Sequence, residues 1–306
     1  MNPLTIGIMG LIVIAVAALL LLGRRPAAAA APAAPVTPAP AAPPADWLTR
    51  IKAVLTRLME RAAGLDEARA LRLMRPWNSA TPTSFLFNPE CWAAPLDWTG
   101  LAQAIDGAGT MGGGTLISRR HILLADHVLT SANATIYFAN KAGTTFQHQI
   151  VQRVRIGDSD IAIGTLDRDV DPSLKVYRVL ADGWEKKVSG LQDETGMAFG
   201  QPFYSVGMRL PVLYTNQDRF ALTADVTVVQ GVVGQAAIAQ VEPPTFQPAQ
   251  AFYRAQRGGD SGNPIFTLVG DELVLLGAWY KVGQFPWLIS MRSQVEAVMG
   301  RKLETA

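Results

Sequence analysis

Cysteine, histidine and charged side chains are all scarce in this 306-residue chain. The single cysteine, Cys91, excludes an internal disulfide and a cysteine-rich zinc site. Charged residues are only 17% of the chain, which excludes a mostly disordered protein, and their sum of +2 provides no general basic surface. We therefore expect a folded protein without a nucleic-acid partner. The chain has only three histidines, so each can be weighed individually, and His121 and His148 lie in strand-like runs and are expected to be structural.

The first 25 residues contain one long uncharged run. Residues 4–23 are dense in Leu, Ile, Val and Ala, and a helix of that length spans a hydrocarbon core of about 30 Å. No Lys or Arg precedes the run, which favours an uncleaved single-pass membrane anchor over a signal peptide. Small residues after Pro26 keep the cleaved alternative open. We predict a transmembrane anchor or signal in residues 1–25, with the membrane as a partner through residues 4–23.

Residues 26–45 contain eleven Ala and seven Pro and no charged residue. Proline at this density prevents a helix, and Ala and Pro bury too little apolar surface to build a core. We predict an extended linker that tethers the rest of the chain to the anchor.

Residues 46–75 are predicted to form an amphipathic helical segment. Apolar residues recur at three- and four-residue spacing from Leu48 to Met59, behind Asp46 as a candidate N-cap. The segment carries seven basic and four acidic residues. One interpretation places this basic segment on anionic lipid or an acidic partner, and the preferred one packs it on its own domain.

Residues 76–306 are expected to form one all-β domain. From about residue 84, short runs rich in Val, Ile, Thr, Tyr and Phe alternate with Gly, Asp, Asn and Pro, which indicates a sandwich or a barrel. A strand-rich stretch of about 220 residues would suit two small barrels packed together. The amphipathic stretch at 291–303 predicts a closing helix.

The most specific motif in this domain surrounds Ser261, where residues 257–264 are RGGDSGNP. A nucleophilic serine needs an exposed hydroxyl and backbone N–H groups aimed at a developing oxyanion, and flanking glycines permit that backbone conformation. The same string is also typical of an ordinary turn. The motif therefore favours catalysis without establishing it.

Two further signals concern a general base and its partner. His127 follows the second of two predicted strands, and Asp160 directly precedes an apolar run, where a buried carboxylate can face a histidine. Asp158 competes with Asp160 for that role. Each signal is weak alone, since a histidine beside apolar residues is more often structural and an aspartate before a strand is typical of a turn.

The three motifs occur in the order His, Asp, Ser, which is the order of trypsin and chymotrypsin. The sequence resembles the trypsin-like serine peptidase family in TLIS at 115–118 with LADH at 124–127, in DIAI at 160–163, and in GDSGNP at 259–264. GAW at 277–279 and the terminal stretch also resemble it, so that the resemblance covers roughly residues 84–303. With one cysteine, the chain is similar to the disulfide-free bacterial-type branch.

The resemblance implies two packed six-stranded antiparallel β-barrels with a C-terminal helix and a catalytic triad in the cleft between them. Ser261 would attack the scissile carbonyl, His127 would transfer the proton, and Asp160 would hold the imidazole. The backbone N–H groups of Gly259 and Ser261 would form the oxyanion hole. This chemistry requires no metal and no organic cofactor.

The resemblance also places the substrate pocket, with Ala255 at its floor and Ala278, Trp279 and Tyr280 on the strand beside it. Without an acid at Ala255, a bound Arg or Lys side chain would lack a partner. We therefore expect cleavage after small or medium apolar residues. The ring of Tyr280 either narrows the entrance or points to solvent.

Three departures from the family pattern stand out. Asn263 replaces a glycine, which we attribute to the access of asparagine to unusual dihedrals. Asp126 beside His127 is unusual. No cleavage site precedes a new apolar amino terminus that could pair with Asp260, so activation by such a cleavage is not expected.

The function that the resemblance implies is a membrane-tethered serine endopeptidase acting on protein or peptide substrates through an acyl-enzyme. The alternative is a catalytically silent domain that binds peptides or scaffolds a complex at a membrane. Arg24 and Arg25 favour a cytoplasmic domain by the positive-inside rule, whereas bacterial-type members are often exported. We expect a single-pass membrane protein with an extracytoplasmic catalytic domain. The oligomeric state is not indicated by the sequence.

Overall fold

The computed structural model describes residues 47–75, 86–105, 111–128, 133–181, 194–198, 201–205, 209–232 and 238–306. The anchor predicted in residues 1–25 and the linker predicted in residues 26–45 lie outside these ranges. Within them, no helix combines the length and the apolar character needed to cross a membrane. All the described residues belong to one compact unit.

Two helices open the described chain. The second, Glu67–Leu71, is capped by Asp66, whose carboxylate accepts a hydrogen bond of 2.9 Å from the backbone N–H of Arg69. The first, Trp47–Glu60, buries residues that recur at helical spacing: Trp47, Ile51, Leu55, Leu58 and Met59. All five belong to the main hydrophobic core. The first helix therefore packs on its own domain, as the preferred interpretation predicts, and this face is not available to lipid.

The first sheet closes into a six-stranded antiparallel barrel. It follows a two-stranded pair, β1 (Met74–Arg75) and β2 (Leu86–Phe87). The barrel strands are β3 (Leu101–Ile105), β4 (Met111–Leu116), β5 (His121–Ala125), β6 (Thr135–Ala139), β7 (Thr145–Arg155) and β8 (Ile161–Leu166). They follow the order β3-β4-β5-β8-β7-β6, and β6 pairs with β3 to complete the ring.

Strand β5 is buried along its whole length. Ile122 and Leu124 belong to the core inside the barrel, whereas Leu123 belongs to the main core shared with the second sheet. Because successive side chains of a strand point to opposite faces, both faces of β5 are covered. This double burial fixes the strand that leads to His127.

The second sheet contains eight antiparallel strands. They are β9 (Glu194–Ala198), β10 (Gln201–Ser205), β11 (Leu210–Thr215), β12 (Ala221–Val232), β13 (Ile238–Glu242), β14 (Pro264–Val269), β15 (Glu272–Ala278) and β16 (Gln284–Pro286). A continuous path runs β15-β14-β11-β12-β10-β9, while β13 pairs with β12 and β16. Single 3-10 turns lie at Ala249–Phe252 and Leu288–Met291, and the last helix is Arg292–Met299.

The structure confirms a mostly β chain with two antiparallel sheets and a C-terminal helix. The first sheet has the six strands expected of each barrel. The second has six strands in one path and two more on a branch, so it is larger than expected. The predicted transmembrane helix falls on residues outside the described ranges.

Candidate active site

Strand pairing brings His127 and Asp160 side by side. Strands β5 and β8 are antiparallel neighbours, and Ala125 at the end of β5 lies opposite Ile161 at the start of β8. The residues just beyond these ends therefore meet. The backbone N–H of Asp126 donates a hydrogen bond of 2.9 Å to the carbonyl of Asp160, which joins the two loops directly.

Three side chains form a continuous hydrogen-bonded chain. Asp160 Oδ1 accepts a bond of 3.1 Å from the backbone N–H of His127, and Asp160 Oδ2 contacts Nδ1 of the same imidazole. On the other side of the ring, Nε2 lies 2.9 Å from Ser261 Oγ. With the proton on Nδ1, the ring donates to Asp160 and accepts from the Ser261 hydroxyl, which is the arrangement a general base requires.

The structure places the carboxylate of Asp160, and not that of Asp158, against the imidazole of His127. Asp158 is exposed, and within the described ranges its carboxylate has no hydrogen bond or ion pair. The side chain of His127 is 48% exposed, so a substrate can reach it, whereas that of Asp160 is 25% exposed. Of the two competing aspartates, Asp160 has the position expected for the third member of the triad.

Some backbone N–H groups in the Ser261 loop donate hydrogen bonds within the protein and others, which we call unbound, do not. Asp260 N donates to Arg257 O, and Gly262 N donates to Trp279 O at 2.8 Å. Among the described residues, no acceptor is present for the N–H of Gly259 or of Ser261. Gly259 has φ +98, a conformation that glycine adopts without strain. Both predicted oxyanion donors are therefore unbound among the described residues, as is the N–H of Gly258.

The carboxylate of Asp260 holds this loop from inside. It is buried and accepts bonds of 2.9 Å from the backbone N–H of Gln217 and from that of Arg257. Burial raises the pKa of Asp260, and the two N–H bonds and the nearby Arg257 charge oppose that rise. Asp260 therefore connects the turn before Ser261 to the turn that follows β11.

Asn263 has a different role from the one expected. Its φ is not in the left-handed region, so unusual dihedrals do not explain it. The side chain is buried, and its amide donates to the Asp260 carbonyl at 2.9 Å while its Oδ1 accepts from Arg219 at 2.7 Å. Our explanation for this asparagine was wrong, because the position requires a buried donor and acceptor.

Arg219 was missed by the sequence analysis. It is 4% exposed and has φ +60 in the turn between β11 and β12. Burial lowers the pKa of Arg219 to about 9 against an opposing effect of the Asp260 charge, so the guanidinium stays charged at neutral pH. Because Arg219 lies far from Ser261 in the chain, no local motif could have identified it.

Two glycines allow the barrel to approach the Ser261 loop. A Cβ on Gly113 of β4 would lie 2.7 Å from Asn263 N, and one on Gly262 would lie 2.5 Å from Gly113 O. Gly262 also has φ +81. Any larger residue at either position would separate Ser261 from the barrel that carries His127.

Asp126 does not interact with the imidazole. Arg153 of β7 contacts its carboxylate and also donates a bond of 2.7 Å to its carbonyl, while Arg155 Nη1 lies 3.7 Å from its second oxygen. The unusual acid beside His127 is therefore neutralised by two arginines, and it fixes the end of β5 against β7.

The four predicted pocket residues have different environments. Ala255 is exposed, and Ala278 is fully buried. Trp279 is also buried and packs edge-on against Phe285. Tyr280 is half-buried, donates a bond of 3.2 Å to a side-chain oxygen on β16, and lines a cavity with the triad aspartate, so its ring does not simply point to solvent.

The other two histidines lie away from the triad. His121 Nδ1 shares a hydrogen bond of 2.8 Å with Ser118 Oγ, and His148 Nδ1 lies 3.2 Å from Asp167 Oδ1. Burial lowers the pKa of both imidazoles. Their partners and burial fit the structural role expected for them.

Comparison with known proteins identifies no family for this chain. No protein-family model matches the chain. No curated protein matches it.

Proposed function

We propose that this chain is a serine endopeptidase that hydrolyses peptide bonds through Ser261, His127 and Asp160. The observation that supports the proposal is the continuous set of contacts from the Asp160 carboxylate through the imidazole to Ser261 Oγ. The unbound N–H groups beside Ser261 support it independently. A binding module has no physical need of these groups together.

The proposed reaction has two halves. In the first, Ser261 Oγ attacks the scissile carbonyl while His127 Nε2 takes the hydroxyl proton, and the N–H groups of Gly259 and Ser261 bind the oxyanion. Collapse of the intermediate breaks the C–N bond, and His127 gives the proton to the leaving amine. In the second half, water attacks the acyl-enzyme with His127 again as base, which releases the acid and restores Ser261.

We extend the proposal to the fold and to the location of the protein. The closed barrel, the second sheet and the order of the triad support a double-barrel, trypsin-like peptidase of the disulfide-free bacterial type. The apolar segment 4–23 and the linker after it support a membrane-tethered domain, and the frequent export of bacterial-type members supports the extracytoplasmic side. The proposed partners are the membrane and a protein or peptide substrate.

The residues around the cleft support a preference at the cleaved position. The N–H of Trp279 donates to the carbonyl of Asn263, and the carbonyl of Trp279 accepts from the N–H of Gly262. Tyr280, in contrast, makes no backbone hydrogen bond to any described residue. An extended substrate can therefore pair with Tyr280. No carboxylate stands at Ala255, so we propose cleavage after small or medium apolar residues.

A fluorophosphonate probe tests the proposal, because it labels a serine only when the triad activates it. We expect labelling of the full chain, and loss of labelling in Ser261→Ala and His127→Ala variants whose thermal unfolding midpoints match that of the wild type. Unlabelled wild-type protein that is folded would overturn the peptidase and favour the silent binding domain. A peptide library then reports the preferred residue, and a dominant preference for Arg or Lys at the cleaved position would overturn the pocket assignment.

A further inference from the structure

A cavity of about 320 Å³ opens beside the triad on the side of Asp160. Asp158 lines it before the start of β8, Tyr280 lines it two residues after the end of β15, and Gln294 of the last helix also reaches it. The volume falls at the small end of the range for ligand sites, about 300–1,000 Å³. Its residues differ from those predicted to form the pocket for the cleaved residue, except for Tyr280.

One wall of the cavity carries an available negative charge. Asp158 is exposed, and its carboxylate has no partner among the described residues. Arg155 lies close by, but its Nε donates to Ser159 O at 2.8 Å and its Nη2 to the carbonyl of Asp158 at 3.3 Å. Its charge also lies 3.7 Å from Asp126. The guanidinium is therefore engaged with carbonyls and another acid, and the Asp158 carboxylate can accept a cation.

Apolar residues form one part of the remaining lining. Ile238, Pro286 and Met291 contribute to it, and the last two are buried. A side chain with an apolar stem and a cationic head matches a site of this kind, since the stem packs on carbon while the head reaches the carboxylate. An acidic side chain would meet Asp158 and Asp160 together and would be repelled.

The cavity also adjoins Tyr280, with which an extended substrate pairs in the proposed function. The backbone of Tyr280 is unbound among the described residues, and the adjoining Trp279 is fixed to the Ser261 loop. A peptide strand that pairs with Tyr280 therefore runs beside the cavity while its scissile carbonyl sits at Ser261. A side chain one or more residues away from the cleaved position can enter it.

We propose that this cavity is a specificity subsite that binds a Lys or Arg side chain of the substrate at a position other than the cleaved residue, with Asp158 as its counter-ion. The inference rests on the proposed peptidase function. It assigns recognition of a Lys or Arg side chain to the cavity beside Asp158 and not to the pocket at Ala255. The enzyme would then select a substrate for its basic residue without cleaving after that residue.

A lysine scan tests the subsite. Peptides that differ only in having Lys, norleucine or Glu at one position are assayed with the full chain, across each position near the cleaved bond. We expect Lys to raise kcat/KM over norleucine by about fivefold at one position other than the cleaved residue, as for a partly exposed ion pair. Glu at that position should lower it.

Variants at Asp158 separate a specific charge contact from a general effect. Asp158→Asn should bring the ratio of kcat/KM for Lys over norleucine close to one, and Asp158→Lys should make Glu the preferred residue. Asp169→Asn, a change of the same kind at an exposed aspartate beyond β8, should keep the wild-type ratio. Thermal unfolding midpoints establish that each variant is folded.

The same peptides distinguish failure of the subsite from failure of the peptidase. Their dissociation constants for Ser261→Ala, measured by fluorescence anisotropy, report binding without turnover. Turnover with equal kcat/KM for Lys and norleucine at every position would overturn the subsite and leave the peptidase. Absence of turnover, with an Asp158-dependent preference for Lys in binding, would overturn the peptidase and leave the subsite. Absence of both would overturn both.

Discussion

Arg219 donates a hydrogen bond of 2.7 Å to Oδ1 of Asn263, which lies two residues after Ser261. Asn263 in turn donates to the carbonyl of Asp260, one residue before the serine. A buried cation therefore fixes the residues on both sides of the proposed nucleophile. The charge that holds the loop belongs to Arg219, in the turn between β11 and β12.

Arg219→Met should remove this support. The variant loses the charged donor to the buried Oδ1 of Asn263, while Arg257 remains beside Asp260, so its free energy of unfolding should fall by about 1–3 kcal/mol. At a temperature where the variant is still folded, fluorophosphonate labelling should slow by about tenfold or more, a change of at least about 1.4 kcal/mol in the barrier. Urea unfolding and labelling rates measure the two effects.

Arg209→Met is the matched control, since Arg209 is exposed and pairs with Glu242 at 3.1 Å. A surface ion pair of this kind contributes about 0–1 kcal/mol. Labelling of Arg219→Met at the wild-type rate would contradict the role given to the buried guanidinium.

Asp160→Asn should lower peptide hydrolysis by about three to four orders of magnitude, because the amide favours the wrong imidazole tautomer and cannot stabilise the imidazolium. Initial rates on the best library peptide measure the loss. Asp169→Asn tests whether any loss of one negative charge has the same effect, and we expect it to retain activity. Equal rates in Asp160→Asn and the wild type would assign the third role to another group.

Gly262→Ala should disturb both folding and the site. The new Cβ would lie 2.5 Å from Gly113 O, and φ +81 strains any side chain, so we expect a loss of about 1–3 kcal/mol in unfolding free energy and slower labelling. Gly258→Ala is the matched control, because nothing lies within 4 Å of its added Cβ. We expect that control to stay within about 0.5 kcal/mol of the wild type. Similar losses in both variants would argue against the close approach.

Glu296 should make stability depend on pH in the acid range. It accepts bonds from Arg292, Lys302 and the N–H of Leu303, which outweigh burial and lower the pKa of Glu296 from 4.5 to about 2. A depressed carboxyl pKa contributes stability that is fully present above pH 4.5 and is lost as the pH falls towards 2.

Glu296→Gln should therefore destabilise the protein at pH 7 by about 1–3 kcal/mol, as expected for buried hydrogen bonds to a charge. The difference from the wild type should shrink as the pH falls below 4.5, which unfolding by urea at several pH values will measure. Glu60→Gln makes the same change at an exposed position and should give a much smaller difference. A difference that is constant from pH 7 to pH 3 would contradict the assignment.

The sequence allowed prediction of the parts of the site that depend on local rules. Asp160 precedes a buried strand and His127 follows one, and antiparallel pairing of β5 with β8 then brings them together. The flanking glycines of Ser261 predicted the exposed backbone donors. These inferences needed only strand ends and glycine conformations, which are properties of neighbouring residues.

Other parts depend on contacts between distant residues and could not be predicted. Arg219 meets Asn263 across 44 positions, and Gly113 meets Asn263 across the boundary between the sheets. Strand β11 has no clear strand pattern in the sequence, because it is buried on both faces, contains Pro211, and so lacks the alternation that marks a strand. Which distant segments pair with each other decides these contacts, and a single sequence does not reveal that pairing.

The separation of the triad along the chain has a consequence for folding kinetics. All six strands of the closed barrel lie between residues 101 and 166, and it has its own core, whereas the main core draws on residues from 47 to 303. Contacts between nearby residues close with the smaller entropy loss, so we expect the barrel to form before the second sheet docks on it. His127 and Ser261 are 134 positions apart and meet only at that docking step. The proposed triad is thus completed among the last events of folding, when the strands of the closed barrel are already ordered and are poor substrates for it.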